Sequence, residues 1–346
     1  MTPPIAISIG SYNRRDLLLR AIDAIAASEL RAPFELCVVL DACTDGSADA
    51  VRARFATLPA QVTPILVEHE RNTGVGQVHQ SSLESTSAPV AAFIDDDCVP
   101  APDFLPRLLA RLEAAGPAVV GVGGFIVPHT LDTLNRRYLG ASDPHRPTER
   151  DFIGASFSTR LRLAVRPPQR DGVRPVYALV GGAMAFRREA LLAVGGFAPE
   201  IRFGGFETRL CEALRARFGD ACLLADPAII VAHNYHPDLR ETFRRAFRVG
   251  SYIGRDFAWR GGLPSLRPNP VLIAGAAAIG LLLSPAAALL GGLTATFALY
   301  GRVARGRLLE RPLYPLLLAL EEGAKNAGFL SGLWVHRHEW RREVAR

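Results

Sequence analysis

Apolar residues fall into short unbroken runs separated by polar turns through the first hundred positions. Ile5 to Ile9, Phe34 to Leu40, Thr63 to Val67 and Pro89 to Ile94 are four such runs, each of a length suited to a buried strand. Between the first two, Asp16 to Ala27 places Leu18, Leu19, Ile22 and Ile25 at helical spacing, with Pro33 beyond its end. Further helices are expected from Ala48, and from the turn Arg71-Asn72-Thr73-Gly74 to about Ser87. Strands alternating with helices across short turns predict a mostly parallel, doubly wound α/β sheet covered on both faces. Ligands of such sheets sit outside the carboxyl ends of the strands. Here those ends carry Gly10 to Asn13, Asp41, Arg71-Asn72 and Asp95 to Asp97.

Beyond the fourth run the pattern weakens. Thr130 to Val173, rich in arginine, proline and polar residues, reads as a long loop or insertion. Order is expected again at Val176 to Met184, followed by a helix from Arg188 to Val194 and the turn Gly195-Gly196-Phe197. Glu207 opens another helix to about Arg217, and Cys222 to Val231 returns to strand character. Gly74-Val75-Gly76 meets His79 where a dinucleotide loop needs a third glycine, and Gly121-Val122-Gly123-Gly124 reads as the end of a strand. Both are expected to be close-packing or turn glycines.

The triplet Asp95-Asp96-Asp97 is the strongest chemical signal. Side chains alternate along a strand, so Asp95 and Asp97 leave on one face and Asp96 on the other. Neighbouring carboxylates repel, and a divalent cation removes the repulsion. Hard oxygen ligands suit Mg or Mn, which commonly bridge carboxylates to substrate phosphates. A solvated acidic turn is the plainer alternative.

Composition narrows the partners. The chain has 346 residues and a formal charge of +6, with an isoelectric point near 9.4; Lys325 is its only lysine. The basic residues are scattered, not gathered with aromatics into a compact block, which argues against nucleic acid. Phosphate-bearing substrates and anionic headgroups suit this charge better. Cys37, Cys43, Cys98, Cys211 and Cys222 show no metal-ligand spacing, and they imply reduced thiols in a cytosolic setting. No signal peptide is expected, because strand character begins at Ile5 without a charged and apolar leader.

Taken in order, the motifs between residues 3 and 255 resemble glycosyltransferase family 2, the inverting enzymes of the GT-A fold. Ile7-Ser8-Ile9-Gly10-Ser11-Tyr12-Asn13-Arg14 is similar to its opening strand and turn. Val39 to Ser47 is similar to its Val-Asp-Asp-Gly-Ser-Thr-Asp-Gly-Thr segment, with Leu40 for the first Asp and Ala42 for the first Gly. Arg71 to Gly74, Phe93 to Leu105, Gly181 to Arg188 and Gly195-Gly196-Phe197 match further elements. The resemblance implies a nucleotide pocket of Ser11, Tyr12, Asn13, Arg14, Asp41, Arg71, Asn72, Asp95 and Asp96. In it Tyr12 touches the base, Asp41 accepts a base N–H, Asn72 or Arg71 closes the pocket and Asp95 meets the ribose. Asp97, with Asp95 and the late histidine His233, would bind Mg or Mn against the diphosphate, and Gly181 and Gly182 fall on the acceptor side. Glu207 stands where the family has the Asp of its Glu-Asp-x-x-Leu base motif, one methylene longer.

The C-terminal third has a different texture. Val271 to Tyr300 carries no charge and is interrupted at Pro285 and Gly291-Gly292. Arginines flank it on both sides: Arg244, Arg245, Arg248, Arg255, Arg260 and Arg267 before, and Arg302, Arg305, Arg307 and Arg311 after. One span would place a basic cluster outside, against the positive-inside tendency. A hairpin breaking near Ser284-Pro285 keeps both clusters on one side. Each arm would reach roughly 22 Å at 1.5 Å per residue, short of the ~30 Å hydrocarbon core, so a re-entrant or shallow insertion is predicted. Leu313 to Leu333, with Glu321, Glu322 and Lys325, reads as an amphipathic interfacial helix.

The whole reads as a GT-A catalytic domain over 1–240, with a nucleotide-binding half (about 1–100) and an acceptor-side half (about 101–240). A membrane-associated segment over 241–346 then comprises a basic and aromatic linker, the hairpin 271–300 and a helix over 312–334. The expected function is metal-dependent transfer of a sugar from a UDP or dTDP donor to a lipid-linked or glycan hydroxyl, at the cytoplasmic face of the membrane. A catalytically inactive nucleotide-sugar-binding scaffold and a sugar nucleotidyltransferase remain open alternatives.

Overall fold

Nine strands form one sheet among the residues that the computed structural model describes, 3–148, 172–260 and 267–337. They are β1 (Ile5–Ser11), β2 (Phe34–Asp41), β3 (Val62–His69), β4 (Val90–Asp95), β5 (Cys98–Pro100), β6 (Gly121–Pro128), β7 (Arg174–Pro175), β8 (Met184–Arg187) and β9 (Leu223–His233). The helices are α1 (Arg15–Ala26), α2 (Ser47–Phe55), α3 (Val75–Ser85), α4 (Phe104–Ala114), α5 (Leu134–Ser142), α6 (Arg188–Ala193), α7 (Phe206–Phe218), α8 (Leu239–Arg260), α9 (Pro268–Leu281), α10 (Pro285–Tyr300) and α11 (Leu313–Val335). Two compact units result. One holds the sheet and takes in described residues up to 129, 145–148 and 172–235; the other takes in 130–144 and the described residues from 236 onward.

In the first unit the strand order is β3-β2-β1-β4-β8-β6-β9-β5, with β7 paired to β9. β1 pairs in parallel with β2 and β4, and β2 with β3. β2 is buried along its whole length, as befits a strand covered on both faces. β3 ends the strand order and contains Pro64, a residue that a sheet tolerates only where no ladder N–H is needed. Helix α1 buries Leu18, Ala21, Ile22 and Ile25, and α4 buries Phe104, Leu105, Leu108 and Leu112. That is the helical stripe expected of a face laid on a sheet, each large side chain contributing ~2 kcal/mol of burial.

Two expectations for the middle of the chain need correction. The glycines at 121–124 open β6, they do not close a strand. They let neighbours come close: a Cβ on Gly124 would lie 2.1 Å from the Ile229 carbonyl, and one on Gly121 would lie 2.6 Å from the Phe186 ring. The order expected at Val176 to Met184 consists of an antiparallel bridge between Ala178 and Thr148, a turn, and the first residue of β8. The turn is closed by Ala183 N–H donating to Val180 C=O, and before it Val176 N–H donates to Leu223 C=O while Ala178 and Thr148 exchange backbone bonds. The expected loop at 130–173 contains α5, capped by Thr133, whose hydroxyl accepts from Arg136 N–H. Residues 149–171 of that stretch lie outside the described residues.

In the second unit α8 and α11 meet through glycines on both helices. A Cβ on Gly250 would lie 2.0 Å from the Lys325 carbonyl and one on Gly254 would lie 2.2 Å from that of Phe329. Gly328 and Gly332 face the Phe247 and Ser251 carbonyls at 2.0 Å in the same sense. Each helix thus carries a small-xxx-small pair at the contact, the spacing that lets backbones approach closely. The polar residues of α11 find partners inside the unit: the buried Glu321 accepts from Tyr138 Oη at 2.6 Å and Lys325 Nζ at 2.8 Å, and Glu322 accepts from Tyr300. Helices α9 and α10 are joined by a turn in which Ser284 accepts from Ala287 N–H and Pro285 takes the first helical position. Burial on this pair is confined mostly to its base, at Thr296, Leu299 and Tyr300, whereas Leu281, Leu282 and Leu283 at the turn are 61, 85 and 83% exposed. Asn326 of α11 pins the start of α9 by exchanging hydrogen bonds with the backbone of Arg267. Pro285–Val303 is, among the described residues, the one helical stretch long and apolar enough to cross a membrane.

Candidate active site

The sheet topology gathers the predicted residues at one edge. β1 to β4 run parallel, β8 is antiparallel to β4, β6 is antiparallel to β8, and β9 is parallel to β6. The carboxyl end of β9 therefore lies on the same edge as that of β4. β5 then folds back antiparallel to β9 and sets Cys98 opposite His233. His233 thus arrives beside the acidic triplet from more than a hundred residues away.

β4 ends at Asp95, and a turn over Asp96 and Asp97 leads into β5, so it is this turn and not strand alternation that sets the triplet's side chains apart. Asp95, Asp97, Cys98 and His233 offer ligand atoms that all lie within 4.8 Å of one another, and His233 Nε2 is 3.1 Å from Asp97 Oδ1. Asp96 turns the other way: Ser11 Oγ donates to its Oδ2 at 2.7 Å, and Arg14 Nη1 donates to its Oδ1 at 3.0 Å. The same Arg14 nitrogen donates to Asp97 Oδ2 at 2.9 Å. One guanidinium therefore ties both halves of the triplet together. Burial pushes the Asp96 carboxyl up to about 6 against the pull of Arg14, with Asp97 adding to the rise. Burial and the nearby carboxylates push the Cys98 thiol well above its ordinary range, so it stays a neutral neighbour.

These residues fit a divalent cation. Two carboxylates and an imidazole form the donor set, and His233 Nδ1 is buried with no hydrogen-bond partner among the described residues. Gly182 leaves room beside them, since a Cβ there would lie 3.0 Å from Asp95 Oδ2 and 3.1 Å from Cys98 Sγ. A set of carboxylate oxygens and one imidazole suits Mn or Mg more than a thiophilic ion.

A second cluster occupies the ends of β2 and β3. Asp41 is buried and accepts from Thr73 N–H at 2.8 Å, Thr73 Oγ1 at 2.8 Å and Gly74 N–H at 2.9 Å, and it lies 2.9 Å from His69 Nδ1. Burial works against its charge, but these hydrogen bonds hold the carboxyl below its usual range. Asp41 thereby fixes the turn that carries Asn72. Tyr12, at the end of β1, is 52% exposed and leaves a ring face open to a planar ligand. Asn13 has φ of 53° and orients Oδ1 to accept from Thr44 N–H at 2.7 Å, which locks the β1 and β2 turns together. Arg71 is exposed at the rim.

On the remaining side, Glu207 sits half-buried in the first turn of α7. Phe206 before it is packed against the His79 ring (4.5 Å between centroids), and Phe93 and Phe197 complete the cage around that histidine. A Cβ on Gly181 would lie 3.0 Å from the Phe206 ring, so the Gly181-Gly182 pair lies between Phe206 on one hand and Asp95 on the other. Sequence reading missed His69, Thr73, His79, Cys98, His145 and Tyr235. His145 stacks on Tyr235 and lies 2.8 Å from its hydroxyl, and both rings pack on His233. No local spacing announces that trio, although Tyr235 two residues after His233 was a visible hint.

A doubly wound mixed sheet with an acidic triplet and a late histidine at its carboxyl edge defines the GT-A class of sugar transferase. The profile of glycosyl transferase family 2 matches residues 7–195, and the chain belongs to that family. It is 32% identical over 117 residues to the succinoglycan biosynthesis protein ExoO of Rhizobium meliloti (strain 1021), a match covering 34% of this chain and 32% of that protein. The chain thus spans about a third of the length of that curated relative. Among solved structures it is similar to the mannosyltransferase PcManGT of Pyrobaculum calidifontis, in complex with GDP-Man and Mn2+. That likeness has a TM-score of 0.58 and 20% identity, over 97% of this chain and 88% of that one. It is also similar to GalNAc-T7 with UDP, GalNAc and Mn2+, with a TM-score of 0.50 and 16% identity, over 75% and 50% of the two chains.

Proposed function

We propose that this glycosyltransferase moves a sugar from a uridine or thymidine diphosphate donor to a hydroxyl group with inversion at the anomeric carbon. The observation that carries this reading is the meeting of Asp95, Asp97 and His233 under Arg14 at the carboxyl edge of the sheet. Tyr12 would cover the base, Asn72 and Arg71 would close its pocket, and Asp95 and Asp96 with Ser11 and Asn13 would border the ribose and diphosphate. Asp97, Asp95 and His233 would hold Mn or Mg, which when bound neutralises charge gathering on the departing diphosphate. Arg14 adds a fixed positive charge on the same side. Glu207 would take the proton of the acceptor hydroxyl as its oxygen bonds to the anomeric carbon and the bond to the diphosphate breaks. A longer side chain than aspartate is suited to this if α7 starts slightly further from the acceptor. The complexes of the two structural neighbours, one with GDP-Man and one with UDP, each with Mn2+, support a nucleoside-diphosphate donor and the ion; the choice of uridine or thymidine rests on the sequence resemblance.

The acceptor we assign is lipid-linked or a growing glycan presented at the cytoplasmic face of the membrane. The apolar, largely exposed α9–α10 pair supports membrane association, with flanking arginines suited to anionic headgroups. The domain division 1–240 and 241–346 is proposed on the same ground. Incubation of the purified chain with a panel of nucleotide sugars, Mn2+ or Mg2+ and membranes, with release of nucleoside diphosphate as the readout, tests the reading. Glu207→Gln should abolish turnover while nucleotide affinity stays within about twofold, as expected when a proton acceptor is lost and not a binding group. No release with any donor would sink the proposal.

A further inference from the structure

The segment between Phe197 and α7 is fastened to the nucleotide-side turn in an unusual way. Helix α3 starts at Val75 without any side-chain cap. Its first free N–H groups are met instead by this segment: Val75 N–H donates to Arg202 C=O at 3.3 Å and Gly76 N–H to Ile201 C=O at 2.8 Å. Only glycines allow the approach, since a Cβ on Gly74 would lie 2.5 Å from Arg202 Cα and one on Gly76 would lie 2.0 Å from the Ala198 carbonyl. Gln80 holds the other end by accepting from Phe197 N–H at 2.9 Å. Finally, the Arg202 side chain closes over the turn, Nη2 donating to the Asn72 carbonyl at 2.9 Å and to Asn72 Oδ1 at 3.0 Å. Just beyond Arg202, Gly204 and Gly205 both adopt left-handed φ, 63° and 74°, and Glu207 follows. Two such glycines in series are a ready hinge.

We infer that Arg202 is a positioning residue: its clasp on Asn72 transmits occupancy of the nucleotide pocket to the helix start that carries Glu207. This rests on the reading that Asn72 borders the nucleotide and Glu207 faces the acceptor. Asp41 grips the 73–74 turn from one side and Arg202 grips residue 72 from the other. The Val75 and Gly76 bonds hold the backbone of 201–202 to the start of α3, and the Arg202 side chain is what joins that segment to Asn72 itself, so a nucleotide that orders residue 72 reaches the hinge through the clasp. Donor would bind first, and the acceptor would meet a settled Glu207 afterwards. A small misplacement of a reacting group costs as much as ~100-fold in rate, so the effect belongs in transfer and not in nucleotide binding.

Amide hydrogen exchange of the full chain, with UDP or dTDP and Mn2+ as probes, tests this. In the wild type, nucleotide should slow exchange both at 71–74 and at 203–208. In Arg202→Gln, slowing at 71–74 should persist and slowing at 203–208 should vanish, with transfer kcat down about tenfold and nucleotide affinity within about threefold. Arg202→Lys, whose ammonium can still reach both oxygens of Asn72, should recover most of both. Slowing at 71–74 with no change at 203–208 in the wild type overturns the coupling alone. Loss of nucleotide affinity by tenfold or more in Arg202→Gln also overturns it, because Arg202 would then be a direct ligand of the phosphates. No slowing at 71–74 with either nucleotide overturns the pocket reading and the coupling together.

Discussion

At the residue scale, two side chains show what the site costs the fold. Ala42 holds φ of 62° at the end of β2, where a Cβ crowds the backbone by roughly 1–2 kcal/mol. The family pattern has glycine there. Ala42→Gly should therefore raise stability by about 0.5–1 kcal/mol after the loss to unfolded-chain entropy, read as a higher urea midpoint. His79 sits among three phenylalanines, and burial pushes its imidazole down to about 3 from the ordinary 6.5. The unfolded chain takes up that proton near pH 6.5 and the folded chain refuses it until about pH 3. The associated stability is thus complete above pH 6.5 and drains as the pH falls, at up to ~1.4 kcal/mol per unit. His79→Leu should flatten this slope when urea midpoints are compared at pH 7 and pH 5. The grouping of Asp95 with Asp97 apart from Asp96 was expected from strand alternation, and it is met although β4 ends at Asp95 and the other two lie in a turn. What no local rule could supply was the bond from Arg14 to both groups, because it joins residues 14, 96 and 97 through the tertiary fold.

At the scale of elements, β1, β2 and β4 were legible because a strand buried on both faces leaves an unbroken apolar run. Val176 to Met184 was legible only as ordered, because an apolar run says that a segment is buried and not whether it is a strand, an isolated bridge such as that of Ala178 or a turn. The α8–α11 contact was written in two small-xxx-small pairs, hidden among arginines in one helix and leucines in the other. It yields a sharp contrast. Gly254→Leu should cost several kcal/mol, because an inserted side chain meets the Phe329 carbonyl with no room to repack. Gly323→Ala on the same α11, where a Cβ meets nothing within 4 Å, should stabilise by about 0.5–1 kcal/mol. Chemical denaturation of the two variants side by side measures both.

At the scale of the molecule, the apolar hairpin and the sheet belong to different compact units. Leu282→Asp together with Leu283→Asp, at the exposed turn between α9 and α10, should weaken flotation with anionic liposomes at least tenfold while soluble nucleotide binding is unchanged. A fully buried aspartate costs several kcal/mol in hydrocarbon, so this loss should exceed that caused by raising salt, which screens only the arginines. Unaltered flotation would remove the hairpin from any part in membrane binding.

The place of β9, between β6 and β5 in the sheet, has a consequence for how the enzyme is made. A chain still growing on the ribosome can finish its acidic triplet early, yet β5 has no partner and the triplet no histidine until residue 233 has emerged and slotted in. On the proposed reading of His233 as an ion ligand, every shorter nascent fragment lacks part of its donor set, and a chain released before that point should be inactive.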